Sequence, residues 1–195
     1  IDIEQGMRDT LVILGHKARA KSVHVTIDLS PDLPRVHAIG GELNQVWMNL
    51  LDNALDAVAA GGSVLATARP EGRYLVVRVI DDGCGMDRDD ALLSLERHAT
   101  SKIRSAVDLQ AVATLGFRGE ALPSIASVSR FRLTTREAGA IAGIEIIVNG
   151  GKIDDVRDGG EAPGTQVEVR SLFYNLPARR KFLRSENTES RNIEH

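Results

Sequence analysis

The sequence predicts an α+β fold: a mixed sheet, antiparallel in its C-terminal part, with helices. Three observations predict it. Apolar residues recur at helical spacing in two long stretches of the N-terminal part. From residue 129 onward the period changes to two, as in strands with one buried face. Gly- and Pro-punctuated connections separate these regimes, and their irregular spacing gives no sign of a repeat. A chain of 195 residues can bury one sizeable core, so a single domain over 1–195 is expected.

Taken in order, residues 4–20, "EQGMRDTLVILGHKARA", carry a helical stripe through Met7, Leu11 and Leu14. "VHVTIDL" (23–29) alternates and reads as a strand, and "SPDLPRVHAIGG" is a connection. A second helix is expected over 42–59, ended by Gly61 and Gly62. "SVLATARP" and "YLVVRVID" read as a hairpin around "EGR", followed by the turn "DDGCGMD". Residues 88–127 hold helical patches: "DDALLSLERHA", "DLQAVATL" and "GEALPSIAS". "RFRLTTRE", "GIEIIVNG", "GKIDDVR" and "GTQVEVRSL" then read as antiparallel strands, and "PARRKFLRS" as a closing helix with Pro in its first turn.

Composition narrows the function classes. The chain is 43% hydrophobic and 26% charged, as in ordinary globular domains. Its net charge of −3 gives no general attraction to nucleic acid. The single cysteine, Cys84, excludes an intrachain disulfide and suits a reducing cytoplasm. No apolar run reaches membrane-spanning length. The opening "IDIEQG" reads as the interior of something longer, so an excised domain is expected.

Polar residues then mark a candidate site. On "ELNQVWMNLLDNALDAV" (42–58), Glu42, Gln45, Asn49, Asn53 and Asp56 share one helix face, while Leu43, Trp47, Leu50, Ala54 and Val58 line the other. Asn is a poor helix former, and this face contains no Lys or Arg. "DDGCGM" (81–86) ends an apolar strand with a carboxylate and two glycines, a turn that something can approach closely. "TLGFRGEAL" (114–122) sets Gly116 and Gly119 before a helix whose free N–H groups suit phosphate oxygens. Each motif alone is compatible with a plain turn or a solvated helix face.

Together, and in this order with "GTQVEV", the motifs resemble the GHKL (Bergerat-fold) ATP-binding superfamily of gyrase, heat-shock chaperone, histidine kinase and MutL proteins. Residues 1 to about 80, through "PDLPRVHAIGGELNQVWMNLLDNALDA", resemble a sensor histidine kinase ATP-binding domain. Residues from about 81 to 195, through "DGCGM", "RHATSKI", "LGFRGEAL", "SIASVSR" and "GTQVEVRSLFYNLPARRKFLRSE", resemble the MutL mismatch repair family. The MutL strap and its E-L-x-E-N-S-x-D-A helix have no counterpart in the sequence. The expectation is therefore a chimera joined near the D-x-G-x-G turn, with a divergent natural family as the alternative.

The resemblance implies a two-layer sandwich, a mixed, mostly antiparallel sheet covered by helices on one face, and a bound adenine nucleotide (ATP or ADP) with Mg²⁺. Asn53 would ligate the metal, an oxygen-seeking cation that keeps waters. Asp81 would accept from the adenine amino group and select adenine over guanine, with Gly83, Gly85 and Met86 forming the close turn. Thr165 would help hold the base. Asp56 and Ala57 would border the nucleotide from the helix. Thr100, Ser101 and Lys102, with Gly116, Phe117, Arg118, Gly119, Ala121 and Leu122, would wrap the phosphates as a lid. Asn49 occupies the position where MutL proteins carry the general-base Glu. An amide cannot take a proton from water at neutral pH, so weak or absent hydrolysis is expected. The nearest carboxylates, Asp52 and Asp56, lie about 60° and 20° around the helix from Asn49. The main expectation is an ATP-binding domain, mainly monomeric, with weak or absent binding to duplex DNA. The alternatives are a MutL-type ATPase that dimerises and binds DNA, a histidine kinase fragment, and a hybrid with a misassembled site.

Overall fold

The computed structural model describes residues 2–31, 33–34, 36, 40–96, 120–160 and 162–175. Its elements run α1 (Ile3–Ala20), β1 (His24–Leu29), α2 (Gly40–Ala57), β2 (Ser63–Glu71), β3 (Tyr74–Asp81), α3 (Arg88–Leu93), α4 (Ala121–Ser127), β4 (Arg130–Arg136), β5 (Gly143–Asn149), β6 (Lys152–Gly159) and β7 (Gly164–Arg170). The α+β expectation holds. Seven strands form one sheet in the order β1-β2-β3-β7-β4-β5-β6. The β1–β2 pair is parallel and every other pair is antiparallel. A parallel pair needs a crossover, and α2 supplies it.

The expected second helix starts and ends two residues earlier than the spacing predicts. Val58 is buried but lies past the last turn. The closing helix at 177–185 and the "DLQAVATL" patch fall outside the described residues.

One apolar layer joins helices to sheet. Leu43, Val46, Trp47, Leu50, Leu51, Ala54 and Leu55 of α2 share a core with Val64, Ala66 and Ala68 of β2, Val77 and Val79 of β3, and Val167 and Val169 of β7. Burying each large aliphatic side chain contributes roughly 1.5–3 kcal/mol. In α1 the buried stripe is Ile3, Gly6, Met7, Thr10 and Leu14, with Leu11 only partly covered. Gly6 faces α2, where a Cβ would lie 2.7 Å from Asn44 Oδ1 and 3.8 Å from the Trp47 ring. On the other side of the sheet, the Arg78 and Arg170 guanidiniums flank Glu168, each at 2.7 Å. Burial works to raise the Glu168 pKa, but the two arginines outweigh it and hold the carboxyl below its ordinary value.

Candidate nucleotide site

Asp81 is the last residue of β3, on the same inward phase as Val77 and Val79. That phase carries its carboxylate under the helical layer, where it is 8% exposed. Desolvation is the largest influence on it and pushes its pKa up to about 6, and the Asp82 charge adds to the rise. Backbone N–H groups of Gly83 and Thr165 pull the other way. The Gly83 N–H donates to Asp81 Oδ1 at 3.0 Å, a local side-chain turn. The neighbouring carboxylate has another task. Asp82 accepts from the Ser63 N–H at 2.7 Å and the Ser63 hydroxyl at 2.6 Å, which hold its pKa low. The pair in "DDG" therefore divides: Asp82 ties the turn to β2, and Asp81 is the buried acceptor.

Glycines bring three backbones onto that acceptor. A Cβ at Gly83 would lie 2.7 Å from the Ala57 carbonyl, and Cys84 N–H donates to that carbonyl oxygen at 3.2 Å. Gly85 has φ +68°, and a Cβ there would sit 2.0 Å from Arg136 O. The turn is thus wedged between the end of α2 and the end of β4. A residue that sequence reasoning missed completes it. Thr135, 1% exposed, accepts from the Met86 N–H at 2.9 Å and lies 3.1 Å from Gly164 O and 3.0 Å from Thr165 Oγ1. The available signal was a polar residue on the inward phase of a strand whose other inward residues are Phe131 and Leu133.

The amide face of α2 borders this turn through Ala57. Asn49 and Asn53 are both partly exposed. Gln45 Nε2 donates to Asn49 Oδ1 at 3.0 Å, while the Asn53 amide has no partner among the described residues. The face carries no cation of its own, yet α1 brings one to it. Lys17 Nζ pairs with Asp52 and, at 2.5 Å, with Asp56, and Lys21 Nζ donates to the Leu55 carbonyl at 2.7 Å. The two carboxylates nearest Asn49 are thereby engaged from behind. Sequence spacing gave no hint of this contact, because it crosses 35 residues.

Asp81, Gly83, Gly85, Met86, Ala57 and Thr165 therefore come together at one end of the sheet, with Asn49, Asn53 and Asp56 on the adjoining helix. Ala121 and Leu122 open α4, which packs on α2. Thr100, Ser101, Lys102, Gly116, Phe117, Arg118 and Gly119 lie outside the described residues.

A buried strand-end carboxylate, a glycine turn and an adjoining amide helix define a class, and the sequence places this chain in it. Residues 40–170 match the model of the Histidine kinase-, DNA gyrase B-, and HSP90-like ATPase family, and the chain belongs to that family. Within it, similar curated proteins include MutL proteins. The "DNA mismatch repair protein MutL" of Syntrophobacter fumaroxidans is 52% identical over 168 residues, covering 84% of this chain and 25% of its own length. That of Pelobacter propionicus is 58% identical over 148 residues, covering 76% and 24%. The chain thus spans about a quarter of these relatives.

A match of 148 residues cannot fit between residue 81 and residue 195, so the MutL likeness crosses the expected junction near residue 80. Among solved structures, the N terminal domain of a DNA repair protein is 27% identical, covers 70% of this chain and 37% of that one, and superposes with a TM-score of 0.53. The catalytic domain of the histidine kinase ThkA shares the fold, with a TM-score of 0.60 at 16% identity over 89% of this chain and 93% of that one. Among the described residues, no helix is long and apolar enough to cross a membrane.

Proposed function

We propose that this chain is the MgATP-binding domain of a MutL-type mismatch repair ATPase, with slow hydrolysis in isolation. Support for the MutL type over a kinase chimera comes from relatives more than 50% identical whose match extends past the expected junction. The observation that carries nucleotide binding is the buried Asp81 carboxylate, held by backbone N–H groups in a turn that glycines keep open.

Asp81 accepts from the exocyclic amino group of adenine, and a guanine carbonyl at that point would meet a carboxylate without a proton between them. Thr165 holds the base beside it, and Met86 packs at its edge. Asn53 offers an amide oxygen free of other partners among the described residues, which fits a hard cation that prefers oxygen. When bound, Mg²⁺ would neutralise phosphate charge. Asn49 orients water and cannot deprotonate it, and the ion pairs to Lys17 keep Asp52 and Asp56 from replacing a base. Thr100 to Lys102 and Gly116 to Leu122 supply the phosphate lid. Under this proposal the domain works in the cytoplasm, mainly as a monomer when isolated, with weak affinity for duplex DNA.

Calorimetric titration with Mg²⁺ and a non-hydrolysable ATP analogue tests the proposal. Binding is expected, and Asp81→Asn should weaken it by about 1–3 kcal/mol, since an amide can still turn its oxygen inward. Equal affinity in the variant would remove Asp81 from the site.

A further inference from the structure

Resting on the nucleotide-binding reading above, we propose that Thr135 is a positioning residue for base recognition. Its buried hydroxyl sets which way the Thr165 hydroxyl directs its proton, and it anchors the Gly85–Met86 turn.

A threonine hydroxyl has one proton and two lone pairs. Around Thr135 Oγ1 lie the Met86 N–H at 2.9 Å, Gly164 O at 3.1 Å and Thr165 Oγ1 at 3.0 Å. The Met86 N–H can only donate, so it consumes one lone pair. The Thr135 proton then has two competing acceptors. If it goes to Gly164 O, Thr165 must donate to Thr135 and offers only lone pairs outward. If it goes to Thr165 Oγ1, the Thr165 proton is released for a ligand.

Adenine presents a donating amino group beside an accepting ring nitrogen. A matched site therefore needs an acceptor and a donor side by side. Asp81, the cross-strand partner of Thr165, is the acceptor, and Thr165 becomes the donor only when Thr135 donates to it. Hypoxanthine reverses both groups and calls for the opposite setting. The Thr135 side chain is 1% exposed, so water does not compete for these bonds. Gly164 has its own reason to stay fixed: at φ +112° a Cβ would lie 2.0 Å from Asp81 O, which locks β7 against β3 at this point.

The experiment is calorimetry of the wild type, Thr135→Val and Thr135→Ser with Mg²⁺ and non-hydrolysable analogues of ATP and of inosine triphosphate. Thr135→Val keeps the shape and removes the hydroxyl. It should weaken ATP-analogue binding about tenfold and narrow the preference for adenine over hypoxanthine by a similar factor. Thr135→Ser should keep both within about threefold. A role confined to packing would weaken both nucleotides alike and leave their ratio unchanged. An unchanged ratio in Thr135→Val, or a Ser variant as weak as the Val variant, overturns the proposal. If Thr135→Val melts without cooperativity, Thr135→Cys, similar in size and a poor donor, is read in its place against the same expectations. Failure of the wild type to bind either analogue overturns the nucleotide reading and this proposal with it. Wild-type binding that is weakened by Asp81→Asn but indifferent to Thr135 overturns this proposal alone.

Discussion

The two ends of the candidate site are built differently. At the base end, Asp81 is buried, its oxygen is tied to Gly83 N–H, and Gly83, Gly85 and Gly164 bring backbone so close that no side chain fits. At the end proposed for the phosphates, Asn49 and Asn53 stand partly exposed on α2, with Gln45 as the one side-chain partner of Asn49 among the described residues. Under the proposed function, one end is fixed before a ligand arrives, and the other is left for a metal and phosphates to organise. Preorganisation at the Asp81 end would spend stability on selectivity, because an ionised carboxylate is held out of water there. The end bearing Asn49 and Asn53 keeps its fixed contacts behind the helix, where Lys17 of α1 and Lys21, just past its last turn, hold Asp52, Asp56 and the last carbonyls of α2.

Breaking the base end should give the largest effect. Gly85→Ala forces a Cβ onto Arg136 O at a positive φ, and should cost about 3 kcal/mol of unfolding free energy in urea. A change under about 0.5 kcal/mol would mean the turn is not wedged. Breaking the support behind the phosphate end should cost less. Lys17→Met removes the cation that pairs with the buried Asp52 and with Asp56 and should destabilise the fold by about 2 kcal/mol, below the range for fully buried pairs because Lys17 keeps some solvent contact. Thermal melts would check it, and Asp52→Asn in the same background should restore part of the loss.

Asn49→Glu sharpens the contrast by adding the missing function to the looser end. A positioned base contributes ~10²–10⁴-fold in a complete site, and here the gain in steady-state phosphate release should be about tenfold. Asn53→Ala supplies the background. A variant that binds ATP and turns over no faster would mean that α2 does not aim Asn49 at the phosphates.

The smallest effect is on pH. Asp81 has its pKa raised to about 6 in the fold, so the ionised form destabilises the free protein above that pH and protonation relieves it. Under the proposed function, nucleotide binding has the opposite sign, since the carboxylate is a stronger acceptor for adenine than the protonated acid. Between pH 7.5 and 5.5 the ATP affinity should fall by up to about fourfold while the Asp81 contribution to free-state stability improves. Asp81→Asn should flatten both profiles. An affinity that stays level in the wild type would place the acceptor elsewhere.

How legible the site was follows the same division. Motifs carried by local chain order were visible: the amide face repeats every three or four residues, and Asp81, Gly83 and Gly85 sit in one turn. The strands of the C-terminal half were readable because alternation survives wherever one face is buried, as in Phe131 and Leu133 of β4. Thr135 and Lys17 were missed because their roles depend on partners 29 to 49 residues away in sequence. Helix ends slipped by two residues at α2, where apolar Val58 continues the pattern after the backbone has left the helix. The proposed junction near residue 80 rested on the part before it resembling kinases, and the MutL match extends beyond that point.

The most direct test of the account is discrimination between bases, because it depends on the fixed end alone. Wild-type protein is titrated calorimetrically at pH 7.5 with Mg²⁺ and non-hydrolysable analogues of ATP and GTP. The two ligands carry the same triphosphate, so the loosely built end treats them alike. With Asp81 as an ionised, buried acceptor, the GTP analogue should bind at least about thirtyfold more weakly, the worth of a donor lost and a carbonyl set against a carboxylate. Equal affinity for the two analogues would contradict the account: recognition would then lie in the phosphates, and the buried carboxylate at the end of β3 would not be reading the base.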